Sequence, residues 1–542
     1  MFSNILSLTS ADLQALEGCE EYPIREIEHI QPHGCLLVLQ QADLTVVQVS
    51  TNTDEWLGVA PAALLGQPLS SLFPAAVVQQ LQTALAESQP LIAQPLVLPH
   101  TEQAFWGYCY RQGDLVLLEI EPEVLDHDNH NVLQEQLIGA ITQLDAANNL
   151  TEWAEILASE IQALLNFDRV MVYRFLPDQS GTVIAEAKQP SLGTYLGLHF
   201  PATDIPPESR SLLLQNPLRW IPNISYSPAP IIPAINPVTN TPLDLSQTWL
   251  RGVSPPHVTY LHNMQVASSI TISLVDEHGL WGLVACHHGQ PWLLDHRSRN
   301  AFILLGKVAN LELMRHQQRQ RQSDRQQHQQ LIHQLHQSLQ ETGQATQQVL
   351  MQAAPLLLRL FAADGLAVVF DHSITTQGVT PSTEELAQLV TWLTAQGQTV
   401  WSTDCLVQQY PDCQHWAQHP AGLLAINLVI RSPHPNSYHL LLFRPEQIQT
   451  VTWAGQLSAS IAINDDGRPT LCPRASFDLW QETVQGRSQI WTAQDLDFVN
   501  ELRNTLMLAA LKISTAALER ATEQAQIANR AKSEFGSIPV WN

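Results

Sequence analysis

Nine prolines fall between Asn216 and Pro256: Pro217, Pro222, Pro228, Pro230, Pro233, Pro237, Pro242, Pro255 and Pro256. Proline fixes φ and has no N–H to donate, so this stretch predicts neither a regular helix nor a central strand. A surface loop is the ordinary expectation. Yet the same stretch keeps Ile221, Ile224, Ile231, Ile232 and Ile235, an apolar set that suggests packing against something.

The rest of the chain surrounds this segment with more regular patterns. At about 150 residues per domain, 542 residues predict three to four domains. The first 130 residues read as a small α+β unit. Its strand-like runs are Cys35 to Leu39, Thr45 to Val49, Phe105 to Tyr110 and Leu115 to Ile120, with short helices around Pro61 to Leu65 and Ala75 to Ala86. A second unit, from about Val132 to Leu294, opens with helical periodicity through Leu144 and again from Trp153 to Leu164. Strands follow at Val170 to Phe175, Thr182 to Ala185, Ser268 to Val275 and Leu280 to Cys286. Asp295 to about Phe361 is a long helical stretch with Leu331, Leu335 and Leu339 on one side. It reads as a connector or dimer seam, or as two helices broken near Gly343. A third unit spans about Ala362 to Trp491, with strands at Leu366 to Phe370, Leu423 to Ile430 and Tyr438 to Phe443. Thr450 to Glu482 lacks regular periodicity, and a last helix begins near Thr492 with Leu502, Leu506, Ala509, Ile513 and Ala516 in a stripe. The second and third units share a helix–strands–helix rhythm.

Charge narrows the function. Acidic residues outnumber basic ones 51 to 26, and only four lysines occur. This argues against nucleic acid and against anionic membrane surfaces. No run of about 18 apolar residues predicts a membrane span. The seven cysteines are odd in number and form no CxxC pair, so no metal site or disulfide framework is expected, and a reducing cytoplasm is. Phosphate-loop, dinucleotide, zincin and nucleophile-elbow motifs are all missing, so no catalytic residues are assigned. His287 and His288 are adjacent in a strand and point to opposite faces, a poor metal pair.

Polar residues concentrate in the second unit: Tyr173, Asp204, Arg219, Arg251, His257, Tyr260, Ser269, Thr271 and His287. Arg219 and Arg251 could clamp carboxylates, and Tyr and His could line an apolar pocket. From spacing alone, surface arginines and satisfied core histidines compete with that reading.

Longer motifs carry a resemblance. The run Phe200-Pro201-Ala202-Thr203-Asp204-Ile205-Pro206 resembles a phytochrome signature. So do "RVMVYRFLPDQSGTVIAEA" (169–187), "LRGVSPPHVTYLHNM" (250–264), "LWGLVACHH" (280–288) and "IQPHG" (30–34). "FRPE" (443–446), "WAG" (453–455) and "PRASF" (473–477) resemble the PHY domain and its tongue. The resemblance implies an α+β fold of three tandem domains, PAS, GAF and PHY. Antiparallel sheets, long connecting helices and an N-terminal figure-of-eight knot belong to it. The proline-rich segment becomes the lasso of that knot. The implied division is an N-terminal extension (1–28), PAS (29–130), GAF (131–315), PHY (316–515) with its tongue at about 450–482, and an output helix and tail (516–542).

The resemblance also implies a red/far-red photoreceptor holding a linear tetrapyrrole, switched by isomerisation between rings C and D. Phytochromes of the phycocyanobilin type carry a GAF cysteine where this chain has Pro256. Biliverdin-binding members use a thiol upstream of the PAS domain, where Cys19 sits. Biliverdin IXα joined to Cys19 by a thioether is therefore implied. Carried residue by residue, the Asp204 carbonyl and His257 face the pyrrole nitrogens. Arg219 and Arg251 bind the propionates, with Ser269 and Thr271 assisting. His287 bonds the D-ring carbonyl, Tyr173, Phe200 and Tyr260 pack around that ring, and Ile205 and Pro206, next to Asp204, also contact the chromophore. Arg474 pairs with Asp204 in one state and Ser476 in the other, with Trp453 beside them on the tongue. Leu213 replaces a tyrosine often found in the family, which removes one propionate contact.

"ANRAKSEF" (528–535) resembles the approach to a histidine-kinase phosphoacceptor helix, but 536–542 do not continue it. The chain is expected to be the photosensory part of a sensor histidine kinase, without kinase activity itself and with residues of vector origin at its end. A homodimer through the long helices is implied, and a response regulator would be reached only through the kinase part. A light-independent GAF-type sensor of another small ligand is the alternative.

Overall fold

The computed structural model describes residues 23–86, 92–97, 103–123, 130–341, 346–370, 373–416, 420–430, 436–455, 461–463, 469–471, 474 and 476–535. Cys19 lies outside them, as do Gly343 and the last seven residues. The chain divides into two units, one of residues up to Gln318 together with Thr452–Gln481, the other of Arg319–Val451 with the residues from Glu482 onward. Among the described residues no helix is long and apolar enough to cross a membrane.

The first unit begins with β1 (His29–Ile30), β2 (Cys35–Gln40), β3 (Val46–Ser50), β4 (Ile92–Val97), β5 (Ala104–Gln112) and β6 (Leu115–Pro122). β4 is not among the strands read from the sequence, and it contains Pro95. It survives as an edge strand, where a missing N–H breaks no ladder. One face of this sheet packs Cys35, Leu37, Val49 and Leu118 against the helices that cover it. The other packs Leu36, Val38, Tyr108 and Leu117 against Leu243, Leu245, Trp249 and Leu250 of the proline-rich segment. Two buried faces explain why β2 is apolar at every residue but its last.

Next come β7 (Arg169–Phe175), β8 (Gly181–Lys188), β9 (His199–Phe200), β10 (Leu218–Ile221), β11 (Ala229–Ile232), β12 (Ser268–Asp276) and β13 (Gly279–His288). Strands β10, β12, β13, β7, β8 and β9 lie side by side in that order, with antiparallel neighbours throughout. Their core face carries Val170, Val172, Trp220, Ile270, Ile272, Val284 and Cys286. It buries them against the helices His130–Ala146, Leu150–Leu165 and the start of His296–Glu341. Asn149 caps the second of these helices by accepting from the Glu152 N–H.

The proline-rich segment corrects the sequence reading. It is neither an open loop nor free of strands and helix. β11 joins the first sheet between β1 and β3, and Pro230 serves only as an acceptor, from the Thr51 N–H. Pro255 and Pro256 open the helix Pro255–Asn263 at positions whose N–H groups have no helical partner. Residues 24–31 bond to both arms of the segment: Ile231 N to Glu28 O, Leu245 N to Arg25 O, and Gln31 N to Leu250 O. These are contacts that a lasso around the N-terminal strand requires.

The second unit holds β14 (Gly365–Phe370), β15 (Ser373–Gly378), β16 (Val400–Thr403), β17 (Gly422–Ile430) and β18 (Asn436–Arg444), in the order β15-β14-β18-β17-β16. The long helical stretch is two helices, His296–Glu341 and Thr346–Leu360. Leu331 and Leu335 are buried in this unit's own core with Phe361, Phe498 and Leu502. Of the stripe read as a connector or dimer seam, Leu331 and Leu335 are therefore satisfied within the chain. Tongue strands β19 (Gln449–Ala454) and β22 (Leu479–Val484) extend the second sheet beyond β9, and β20 (Ile461–Ile463) pairs with β21 (Pro469–Leu471). Trp453 of β19 sits in register with His199.

Candidate functional site

Strand alternation builds the site. While Val170, Val172, Ile270, Ile272, Val284 and Cys286 fill the core, their odd-numbered neighbours Met171, Tyr173, Ser269, Thr271, Leu283 and His287 face the other way. Register sets Arg219 beside Thr271 and Ser269 beside His287. The helix Pro255–Asn263 adds His257 and Tyr260, and the loop before the helix Pro207–Gln215 adds Asp204.

The arginines are held by main chain and retain spare donors. Arg219 Nη2 donates to the Gly252 carbonyl at 2.8 Å, while its buried Nη1 has no partner among the described residues. Arg251 Nη1 donates to the Ile24 carbonyl at 2.8 Å. Burial, then repulsion from Arg251, pulls the Arg219 pKa well down. Burial pulls Arg251 down to about 10. Two cations that repel each other, with Glu119 and Asp244 only partly offsetting them, favour an anionic ligand.

Burial also pushes His287 down to about 3, with Arg169 and His257 reinforcing it, so its ring is neutral. Its Nδ1 is buried without a partner among the described residues. His257 is held down to about 4 by surrounding protein and by Arg219 and Arg251. His257 is an exposed residue, so water screens those charges. His288, on the opposite face, lies 3.1 Å from Asp168.

Aromatic packing closes one end. The Tyr173 ring meets Phe175 edge-on at 5.3 Å and Phe200 at 5.8 Å. Gly181 leaves room for it, since a Cβ there would fall 2.0 Å from the ring. Ile205 and Leu213 pack on the same cluster, so Leu213 contributes apolar surface rather than a hydroxyl. Pro206 is exposed and caps the following helix.

The tongue covers this end. Tyr260 Oη donates to Asp204 Oδ2 at 3.0 Å, and Arg474 Nη2 donates to the same oxygen at 2.6 Å. Arg474 also donates to the Ala454 carbonyl, and its side chain is 1% exposed. Trp453 is buried with its ring 5.9 Å from His199. Ser476 accepts from the Asp478 N–H and donates to its carboxylate, away from Asp204.

Comparison with known proteins decides the family. Family models match at 19–123 (PAS fold), 149–311 (GAF domain) and 325–514 (Phytochrome region). The chain is 36% identical to cyanobacterial phytochrome B of Nostoc sp. over 97% of its own length and 69% of the relative's. The chain belongs to the phytochrome family. It is 33% identical to a bacteriophytochrome of Xanthomonas campestris, covering 92% of this chain and 79% of that one. The crystal structure of a bacteriophytochrome from R. palustris superposes with a TM-score of 0.76 at 33% identity, over 90% of this chain and 97% of that one. The photosensory core module of the Stigmatella aurantiaca phytochrome gives 0.76 and 33% over 92% and 99%. The first cyanobacterial relatives are spanned over 66–69% of their length. Membership of the family supports a light photoreceptor.

Within this phytochrome core, several positioning residues escaped the sequence reading. Arg210 Nε donates to the Ile205 carbonyl at 2.7 Å and Nη2 to the Gln179 carbonyl at 2.7 Å, with the guanidinium over the Phe175 ring. With a further bond from Nη2 to the Ala202 carbonyl at 3.3 Å, it pins both sides of the Asp204 turn. Gln31 Nε2 faces the carbonyls of Trp220, Trp249 and Arg251, tying together the two arginine-bearing segments. Glu119, buried in the PAS sheet, accepts from the Trp249 and Leu250 N–H groups beside Arg251, and burial pushes its pKa up to about 7. A buried carboxylate inside an apolar strand was the available signal for Glu119. Gln31 and Arg210 left none, because their partners are main-chain carbonyls.

Proposed function

We propose that the chain is the photosensory part of a red/far-red photoreceptor that binds biliverdin IXα covalently through Cys19. The carrying observation is the unpartnered donor set on the pocket face: Arg219 Nη1 and His287 Nδ1 are buried polar atoms that a ligand with carboxylates and a ring carbonyl would satisfy. The bound bilin would supply a conjugated chain whose C15=C16 bond isomerises on absorbing light.

This chain's residues hold and read it. Arg219 and Arg251 bind propionates, with Ser269 and Thr271 beside them. His257 and the Asp204 carbonyl face the pyrrole nitrogens. His287 stays neutral and bonds the D-ring carbonyl, while Tyr173, Phe200 and Tyr260 form that ring's packing wall. When the wall rearranges, Tyr260 and Asp204 change together, and the Arg474 contact changes with them. The tongue then refolds, with Ser476 taking over as partner of Asp204. Output passes to a histidine kinase in the full-length protein, a reading supported by the likeness of Ala528 to Phe535 to such a junction. Exposed Ile138, Leu304, Leu311 and Met314 supply apolar surface for a homodimer.

Apoprotein mixed with biliverdin tests this. A zinc-fluorescent covalent band and a photoreversible red/far-red difference spectrum are expected. No photoreversible difference would overturn the photoreceptor reading and favour a light-independent ligand sensor. A covalent adduct in Cys19→Ser would overturn the attachment site alone.

A further inference from the structure

Asn263 is the last residue of the helix that carries His257 and Tyr260. Its Nδ2 donates to the main-chain carbonyl of Arg474 at 2.8 Å. The tongue is thus held at one residue by two different means. Asp204 takes the Arg474 side chain, and Asn263 takes its main chain.

The two contacts respond differently to backbone conformation. Arginine's long side chain reaches a fixed carboxylate from several backbone conformations. A carbonyl has no such freedom: in a helix it points along the axis and accepts from the N–H four residues on. Residue 474 is non-helical here, and its carbonyl points out toward Asn263. Next to it, Gly455 has φ +91°, and a Cβ there would fall 2.2 Å from the Ser476 carbonyl, so tongue main chain packs closely at this point. We propose that Asn263 is a positioning residue that senses the main-chain conformation at Arg474 and selects the non-helical tongue independently of the Asp204–Arg474 ion pair.

The inference rests on the two-state tongue of the proposed function. Its test uses biliverdin-loaded protein and measures the thermal equilibrium and dark-reversion rate between the two photoforms. The variants are Asn263→Ala, the isosteric non-donor Asn263→Asp, Arg474→Ala and the Asn263→Ala/Arg474→Ala pair. Loss of one such hydrogen bond predicts a shift of about fivefold for Asn263→Ala and Asn263→Asp. The shift runs in the same direction as that of Arg474→Ala, and the spectrum of the assembled starting form stays unchanged. The Asn263→Ala shift persists when Arg474 is already alanine. A wild type that photoconverts beside Asn263 variants within twofold of it overturns the inference and leaves the photoreceptor reading standing. So does a shift that vanishes in the Arg474→Ala background. A wild type that binds biliverdin but does not photoconvert brings both down.

Discussion

Arg474 and Asp204 lie 270 positions apart in sequence, yet the guanidinium donates to the carboxylate at 2.6 Å with both side chains almost wholly buried. Arg474→Ala leaves Asp204 buried with Tyr260 as its remaining donor. Breaking one side of a buried pair costs about 3 kcal/mol. The photoform with this tongue should lose stability by that order, read as a change in dark-reversion rate. An unchanged rate would show that the ion pair does not distinguish the two forms.

On the proposed reading, Arg219 is a cation held for a ligand. A buried guanidinium with an unpartnered nitrogen is costly to the empty protein. Arg219→Gln is expected to leave the apoprotein's denaturation midpoint equal or higher while slowing biliverdin assembly at least about tenfold, the loss of one charge-assisted bond. A lower apoprotein midpoint would mean the arginine is structural.

Gly181 yields space to the Tyr173 ring. Gly181→Ala puts a methyl 2.0 Å from that ring, which Phe175 and Phe200 hem in. Such overpacking costs about 1–3 kcal/mol. Assembly with biliverdin should survive, with a shifted absorbance maximum and lower photoconversion yield. A wild-type yield would show that the Tyr173 position is not critical.

Apoprotein stability should fall as pH drops. Burial holds His287 down to about 3 and His33 to about 4, so both are neutral when folded and protonate first in the unfolded chain. Their contribution is complete above pH of about 6.5 and is lost between there and about 4 for His33 and about 3 for His287, at roughly 1.4 kcal/mol per pH unit each. Glu119, raised to about 7, works oppositely: its contribution is complete below about 4.5 and is lost as pH rises through 7. The two histidines outweigh the one carboxyl. Urea midpoints should therefore decline from pH 6.5 and more steeply below 4.5. A midpoint that rises on acidification would refute the neutral histidines.

Much of this protein is legible in its sequence. The apolar runs at 170–175, 268–275 and 280–286 marked the strands and Cys286 as core, while the resemblance marked His287 for the site. The motif at 200–206 marked Asp204, and the longer resemblance, rather than spacing, singled out Arg219, Arg251, His257 and His287. These are local signals, carried by side chains that are chemically unusual for their position.

The tertiary structure decided what local pattern cannot carry. Prolines that forbid a long helix or strand did not forbid a four-residue strand between two others, because Pro230 needs only to accept. Leu331 and Leu335 looked like a seam between chains until Phe361, Phe498 and Leu502 covered them. Arg210, Gln31 and Asn263 act on main-chain carbonyls, and a carbonyl has no sequence signature. Side-chain chemistry and spacing are written in the chain, whereas the direction of a distant backbone carbonyl exists only once the chain has folded around it.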